Sequence, residues 1–320
     1  MRRFALLAAL LLLVGCAKNP ERTALRQADS LIDQDRIRAA LDVVENCLRQ
    51  HPNSVPLLRM RVVVLLRADR PDLAMIALRQ IPGRPPILRQ LLHHRDGVVR
   101  GNAAKLIAEQ PKQGDFRDLV NALDDSDPIV RQYCARALGE LKNANAVKPI
   151  FRLLGDDNWF VRAEAAAALG EIGDPRAIGW LVQLLSDGDG YVRYSAAEAL
   201  YELASESTHA VLLRALASAD ANQRFGISLA LAKLHDPAAL EPLTNAAMDK
   251  DANVRGRAAE ALGECGQTSA TNVLALLLGD ADPGVRRRAT EALERIKVAK
   301  GPPSPPQPSA VSSPMRATMP

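Results

Sequence analysis

The sequence predicts an all-α protein, a right-handed α-solenoid of stacked helical hairpins, and three observations carry that reading. Arg100, Arg131, Arg162, Arg193, Arg224, Arg255 and Arg286 recur every 31 residues without insertion. Self-similarity at a fixed period of this length marks a repeat architecture. The residues around each Arg spell the same helix. Ala and Leu dominate while aromatic residues make up only 3% of the chain, a composition that favours helix over sheet.

In chain order, residues 1–15 read as an export signal. Arg2 and Arg3 supply a positive start. Residues 4–14 (FALLAALLLLV) form an apolar run too short for a bilayer, which takes about 20 residues. The run ends in Leu13-Val14-Gly15-Cys16, which resembles the bacterial lipobox. That resemblance implies diacylglyceryl transfer to the Cys16 sulfur, cleavage before Cys16 and acylation of the new terminus. Such chains, at about 0.8 kcal/mol per buried methylene, hold a protein on a membrane. Ala17 rather than Asp after the Cys implies an outer-membrane lipoprotein facing the periplasm.

Residues 16–86 follow a different period. Ala40 and Ala74 are 34 residues apart, as are Pro52 and Pro86, which places Val44 with Leu78 and Cys47 with Ile81 at matching inner positions. This resembles two degenerate tetratricopeptide units that lack the usual Trp, Gly and Tyr of the first helix. No linker precedes Pro85-Pro86, so the pair is expected to stack directly on the 31-residue array.

Residues 87–300 hold that array. Four residues before each Arg stand Asp96, Asp127, Asn158, Asp189, Asp220, Asp251 and Asp282, all good N-caps, with Pro128 and Pro283 at the first helical position. Small residues such as Ala103-Ala104 and Ala165-Ala166 follow the Arg, and Ile107, Leu138, Leu169, Leu200, Leu231, Leu262 and Leu293 lie seven after it, one apolar face at helical spacing. Gly139, Gly170 and Gly263 are expected to end these helices as C-caps. A shorter helix then begins near Asp174-Pro175 or Asp236-Pro237. The pattern resembles HEAT-like repeats of the phycobilisome-lyase type, most closely over NWFVRAEAAAALGEIGDPRAI (158–178). Residues 301–320, GPPSPPQPSAVSSPMRATMP, are Pro/Ser-rich and almost uncharged, and read as a disordered or polyproline tail.

The candidate chemistry is sparse. The Arg and Asp columns look like an anion-binding ladder, but they recur in every repeat and are expected to hold the stack, with Arg paired to an Asp of the next repeat. Cys47, Cys134 and Cys265 fall in apolar slots and read as core. No His is followed by Glu, the pairing that iron hydroxylases built from HEAT repeats carry, and the adjacent His93-His94 make a poor chelate. No P-loop, dinucleotide fingerprint or nucleophile elbow is present, so no enzyme activity, metal, cofactor or small-molecule substrate is expected. The net charge of +4 falls to +2 once Arg2 and Arg3 leave with the signal, which is no nucleic-acid footprint. Nine Arg between Arg59 and Arg100 leave the N-terminal part more basic than the rest.

One irregular feature remains. Trp159 and Phe160 open one helix, Tyr191 takes the Phe160 position one repeat later, and Tyr194 and Phe225 follow their Arg by one, while Trp180 stands where Pro149 and Pro242 do elsewhere. Packing and contact readings are evenly matched for these rings. The contact reading makes Trp159, Phe160, Tyr191 and Tyr194 a protein-binding site. The chain then reads as a membrane-anchored adaptor that binds another envelope protein on its concave face. The alternative is a phycobilisome-lyase-like chromophore-attachment or enzyme-accessory protein, against which export argues.

Overall fold

The computed structural model describes residues 19–81 and 87–299. Cys16, the signal 1–15, Pro86 and the tail 301–320 lie outside the described residues. Those described form 18 helices and no strand. The chain divides into two compact units, Met1–Glu202 and Leu203–Pro320.

The first unit opens with two helical hairpins, α1 (Pro20–Asp33) with α2 (Ile37–Gln50) and α3 (Val55–Arg67) with α4 (Pro71–Arg79). Both turn at an Asp with positive φ, Asp35 (56°) and Asp69 (55°). Their inner faces hold Ala40, Val44, Cys47, Ala74 and Ile81, all buried. Leu78 is only half-buried and faces a cavity. After α5 (Ile87–Leu91) the long helices of the array begin: α6 (Gly97–Glu109), α8 (Pro128–Glu140), α10 (Trp159–Ile172) and α12 (Gly190–Leu203). Between them lie α7 (Phe116–Ala122), α9 (Val147–Phe151) and α11 (Ile178–Leu184), each led by a 3-10 turn. The opening hairpins pack directly on the array. Asn102 of α6 donates to the Leu66 carbonyl at 2.9 Å and Arg67 pairs with Asp96 at 2.7 Å.

The second unit continues the pattern with long helices α14 (Ala221–Lys233), α16 (Ala252–Cys265) and α18 (Pro283–Ala299), alternating with α13 (His209–Ser218), α15 (Leu240–Ala246) and α17 (Thr271–Leu277). Across both units the long helices start at 97, 128, 159, 190, 221, 252 and 283, a spacing of 31 at every step. The cap letters cause this: each expected cap side chain accepts a backbone N–H from the first turn of its own helix. The Val before the Arg is turned inward, with Val99, Val130, Val161, Val192 and Val285 fully buried.

The glycine expectation is corrected. Gly139, Gly170 and Gly263 lie inside their helices, and the left-handed position comes three residues later, at Lys142, Gly173 and Gly266, with His235 at the matching place after Ala232. The reason for the inner glycines is crowding. A Cβ at Gly139, Gly170 or Gly263 would stand 2.8, 2.8 or 2.7 Å from the Cα of Ala168, Ala199 or Ala292 on the next long helix. Only a residue without a side chain allows that approach.

Candidate functional site

The long helices are joined edge to edge by a column of ion pairs. Arg131 donates from Nε and Nη2 to the two carboxylate oxygens of Asp156 at 2.7 and 2.8 Å, and from Nη1 to the Asp125 carbonyl at 2.7 Å. Arg100 with Asp125, Arg162 with Asp187 and Arg255 with Asp280 repeat the bidentate arrangement. Each Asp stands two residues before the helix cap and also accepts the cap residue's N–H, as Asp156 does from Asn158 at 2.9 Å. Burial alone would raise the carboxyls of Asp125, Asp156 and Asp187, but the Arg and backbone donors outweigh it and hold them below the usual range. Every guanidinium in these four pairs is spent on the stack. The basic N-terminal stretch is likewise largely paired: Arg61 with Glu45, Arg67 with Asp35 and Asp96, Arg70 with Asp72, Arg95 with Asp33.

The other titratable candidates serve the fold. Cys47, Cys134 and Cys265 are free and buried, and burial pushes all three thiols upward, away from the reactive thiolate. His94 accepts the Asp96 N–H through Nδ1, whereas His93 faces Asp118 at 3.7 Å, so the neighbouring rings turn to different partners. His209 pairs with Asp236, and His235, in the left-handed slot, meets the Glu264 carbonyl. Among the described residues no group of three or more His, Cys, Asp or Glu is placed to hold a metal ion. A cavity of about 360 Å³ in the first unit has an apolar floor that includes Leu78, Ile87, Leu106 and Ile107.

The aromatic residues are different. Asn158 caps α10, so Trp159 and Phe160 occupy its first two positions. The inward face is taken by Val161, Ala165 and Leu169, all fully buried. The opening residues are thereby turned outward. Trp159 stacks on Phe160 with centroids 3.8 Å apart and meets Tyr191 of α12 edge-on at 5.6 Å. Phe160 stands 6.2 Å from Tyr191, and Tyr191 stands 6.3 Å from Tyr194 one turn further along α12. The structure thus brings Trp159, Phe160, Tyr191 and Tyr194 into one patch. All four rings remain open, from 37% exposed at Trp159 to 53% at Tyr191. Trp180 instead packs on Phe151 at 4.2 Å, lining a cleft of about 420 Å³ between α9 and α11. Phe225 is half-buried on α14 in the second unit.

Two exposed apolar residues at matching repeat positions are missed by the aromatic reading. Val98 and Ile129 fill the Phe160 and Tyr191 position in the two preceding repeats, and both are exposed, at 42% and 52%. The signal was available: large apolar residues at the second helical position in four successive repeats, where the inward face does not need them.

Comparison with known proteins gives matches to the HEAT-repeat family model at residues 116–201, 178–255 and 241–307, together more than half of the chain. An engineered protein is 24% identical over 88% of this chain and 86% of its own, with a TM-score of 0.45. The complex of CpcE and CpcF of phycocyanin lyase from Nostoc sp. PCC7120 is 21% identical over 66% of this chain and 94% of that one, with a TM-score of 0.42. Human deoxyhypusine hydroxylase is 22% identical over 67% and 96%, with a TM-score of 0.29. No curated protein matches the sequence.

Proposed function

The chain belongs to the HEAT-repeat family, and from that premise we propose that it is a protein-interaction scaffold of the bacterial envelope. In this reading lipid on Cys16 tethers it to the outer membrane, and Trp159, Phe160, Tyr191 and Tyr194 meet another envelope protein. One observation carries the interaction: four rings in mutual contact and widely open to solvent, in a chain with only 11 aromatic residues. The matching slots of the second unit hold Asn222, Asn253 and Gly284, so the stack does not require a ring there. Large aromatics are the residues that most often dominate binding energy. The tether rests on residues 1–16, since no helix among those described is long and apolar enough to cross a membrane.

The experiment is Trp159→Ala and Tyr191→Ala in the full chain, with melting and partner recovery from detergent-solubilised membranes measured side by side. Truncating a binding anchor costs about 2 kcal/mol or more of affinity and leaves the melt unchanged, whereas truncating a packed core ring costs about 3–5 kcal/mol of stability. A collapsed melt, or full recovery of the partner, overturns the site. Labelled palmitate must enter the wild type and not Cys16→Ser; equal incorporation overturns the tether.

A further inference from the structure

We propose that the Arg193 guanidinium seats an Asp or Glu carboxylate of a partner protein, whose acidic segment also lays an apolar side chain against Tyr191 and Tyr194. The proposal rests on reading the aromatic patch as a binding surface and names the chemistry of what it binds. Arg193 stands between the two tyrosines in the sequence and is half-buried on α12, the helix that closes the first unit.

The column of Arg–Asp pairs breaks at Arg193. In the filled positions the acceptor stands 25 residues after its Arg, as Asp156 does after Arg131 and Asp187 after Arg162. The residue 25 after Arg193 is Ser218, whose hydroxyl donates to the Ala215 carbonyl at 3.4 Å. Among the described residues Arg193 has no carboxylate partner, and its hydrogen bonds all leave from Nη1, to the Asp187 and Gly188 carbonyls at 2.8 and 3.2 Å. Arg162 anchors itself in the same way, from Nη1 to the Asp156 and Asp157 carbonyls at 2.8 and 3.3 Å. The other end of the group matches too. A Cβ at Gly190 would stand 3.5 Å from Arg193 Nη2, and one at Gly97 would stand 3.6 Å from Arg100 Nη2. Arg193 thus keeps the pose of the filled positions while its Nε and Nη2 donors have no acceptor among the described residues.

A guanidinium fixed in this way offers two parallel N–H donors, the fork that carboxylates and phosphates meet bidentately. The filled positions of this chain choose between those anions, because all four hold a carboxylate. The rings single out Arg193 among the remaining arginines of the column. Arg224 spends Nε on the Ala219 carbonyl at 3.1 Å. Arg286 anchors Nη1 as Arg193 does, at 2.7 and 2.9 Å, but Gly284 and Arg287 stand where Tyr191 and Tyr194 do. Beside Arg193 the two tyrosines are 53% and 50% exposed.

The neighbouring repeat shows the spacing that such a segment needs. Asp187 fills the Arg162 fork, and Tyr191, four residues later, lies 6.2 Å from Phe160, the ring two residues before Arg162. Tyr191 holds that same place before Arg193. An Asp followed four residues on by an aromatic or large apolar residue therefore meets the fork and the tyrosines together. In this chain the corresponding letters after Arg193 are Ser218 and Asn222, which supply neither.

Trp159 and Trp180 are the only tryptophans, so a full chain carrying Trp180→Phe reports on Trp159, which touches Tyr191. The probe is a synthetic peptide of residues 185–192, LSDGDGYV, which contains the Asp and Tyr at that spacing and no tryptophan. It should change Trp159 emission saturably, and the same peptide with Asn for both Asp should bind at least tenfold more weakly. Arg193→Lys keeps the charge but loses the fork, and should weaken binding of the acidic peptide at least fivefold, whereas Arg286→Lys should leave it unchanged. The Asn peptide reads the carboxylate on a chain with Arg193 intact, so a lowered melt in Arg193→Lys would not obscure the answer. No emission response, equal affinity for the Asn peptide, or full binding by Arg193→Lys overturns the proposal. So does an equal loss in Arg286→Lys, or inorganic phosphate binding the fork more tightly than the peptide. If the peptide fails while Trp159→Ala and Tyr191→Ala still lose the envelope partner with normal melts, the scaffold reading stands and only the carboxylate seat falls.

Discussion

Alanine at Gly170 tests the packing argument because two opposing effects can be weighed on the same residue. Inside α10, replacing Gly by Ala gains about 1 kcal/mol of helix propensity. Against this, the new Cβ would sit 2.8 Å from the Ala199 Cα and 2.9 Å from its Cβ. Carbon atoms pack best at about 3.5–4.0 Å. Both opposing atoms belong to or adjoin the α12 backbone, so no side-chain rotation relieves the contact and the helices themselves must separate. Overpacking of this kind costs about 1–3 kcal/mol and occasionally more; rigid backbone on both sides places Gly170→Ala at or beyond the upper end. The net expectation is a loss of about 2 kcal/mol. Gly179 on α11 is the control, since a Cβ there meets nothing within 4 Å. Gly179→Ala keeps only the propensity gain, about 0.5–1 kcal/mol. Urea melts of the full-length variants, followed by circular dichroism, should move in opposite directions. Gly170→Ala melting at or above wild type would refute the close-approach account, and with it the reason given for Gly139 and Gly263.

Two further outcomes concern the ion pairs and one buried hydroxyl. Asp156→Ala, which strands Arg131 and also removes the Asn158 backbone contact, should cost about 3 kcal/mol, and a double-mutant cycle with Arg131→Ala should return about 1–2 kcal/mol of coupling; zero coupling would make the column ornamental. The carboxyls of Asp125, Asp156 and Asp187 lie low, and Arg255, then the Asp282 N–H, holds Asp280 down to about 2. A depressed folded-state value means the stabilisation is present above the unfolded pKa of about 3.9 and lost as pH falls through the folded one. Thermal melts should therefore drop between about pH 4 and pH 2, with a shallower drop in Asp156→Asn. Ser228 is fully buried in a slot that holds Ala in five of the six other repeats, and its hydroxyl has no hydrogen-bond partner. Ser228→Ala should raise stability by about 1 kcal/mol, and a lowered melt would show that the hydroxyl is satisfied after all.

The helix starts were legible in the sequence because each rests on local letters: a capping Asp or Asn and an Arg at constant offsets, with a Val before the Arg in six of the seven. The helix ends were not. Gly139, Gly170 and Gly263 resemble C-caps in one dimension, and only the approach of Ala168, Ala199 and Ala292 shows why they lack side chains. The ion pairs were half legible. Arg pairing with the next repeat is readable from the period, but Asp occurs both at the cap and two residues before it. Periodicity alone does not choose between them. Geometry does: the cap carboxylate is occupied by its own helix's first turn, which leaves the earlier Asp for the incoming guanidinium. The ring contacts among Trp159, Phe160, Tyr191 and Tyr194 were legible as matched positions. Their exposure required knowing which way the first turn of α10 faces.

The size of the exposed patch also limits what kind of contact it can make. An aromatic side chain buries about 150–250 Å² when fully covered, so four rings at roughly half exposure still hold about 300–450 Å². At about 25 cal/mol per Å² this is about 8–11 kcal/mol of gross apolar stabilisation. Association itself costs about 4–15 kcal/mol in lost freedom. The patch alone therefore supports at best a weak and readily reversed contact for a free partner in solution. Confinement to one membrane surface changes that balance without any new contact, because it raises the local concentration of everything tethered there. A chain held by lipid on Cys16 would meet this condition for an envelope partner.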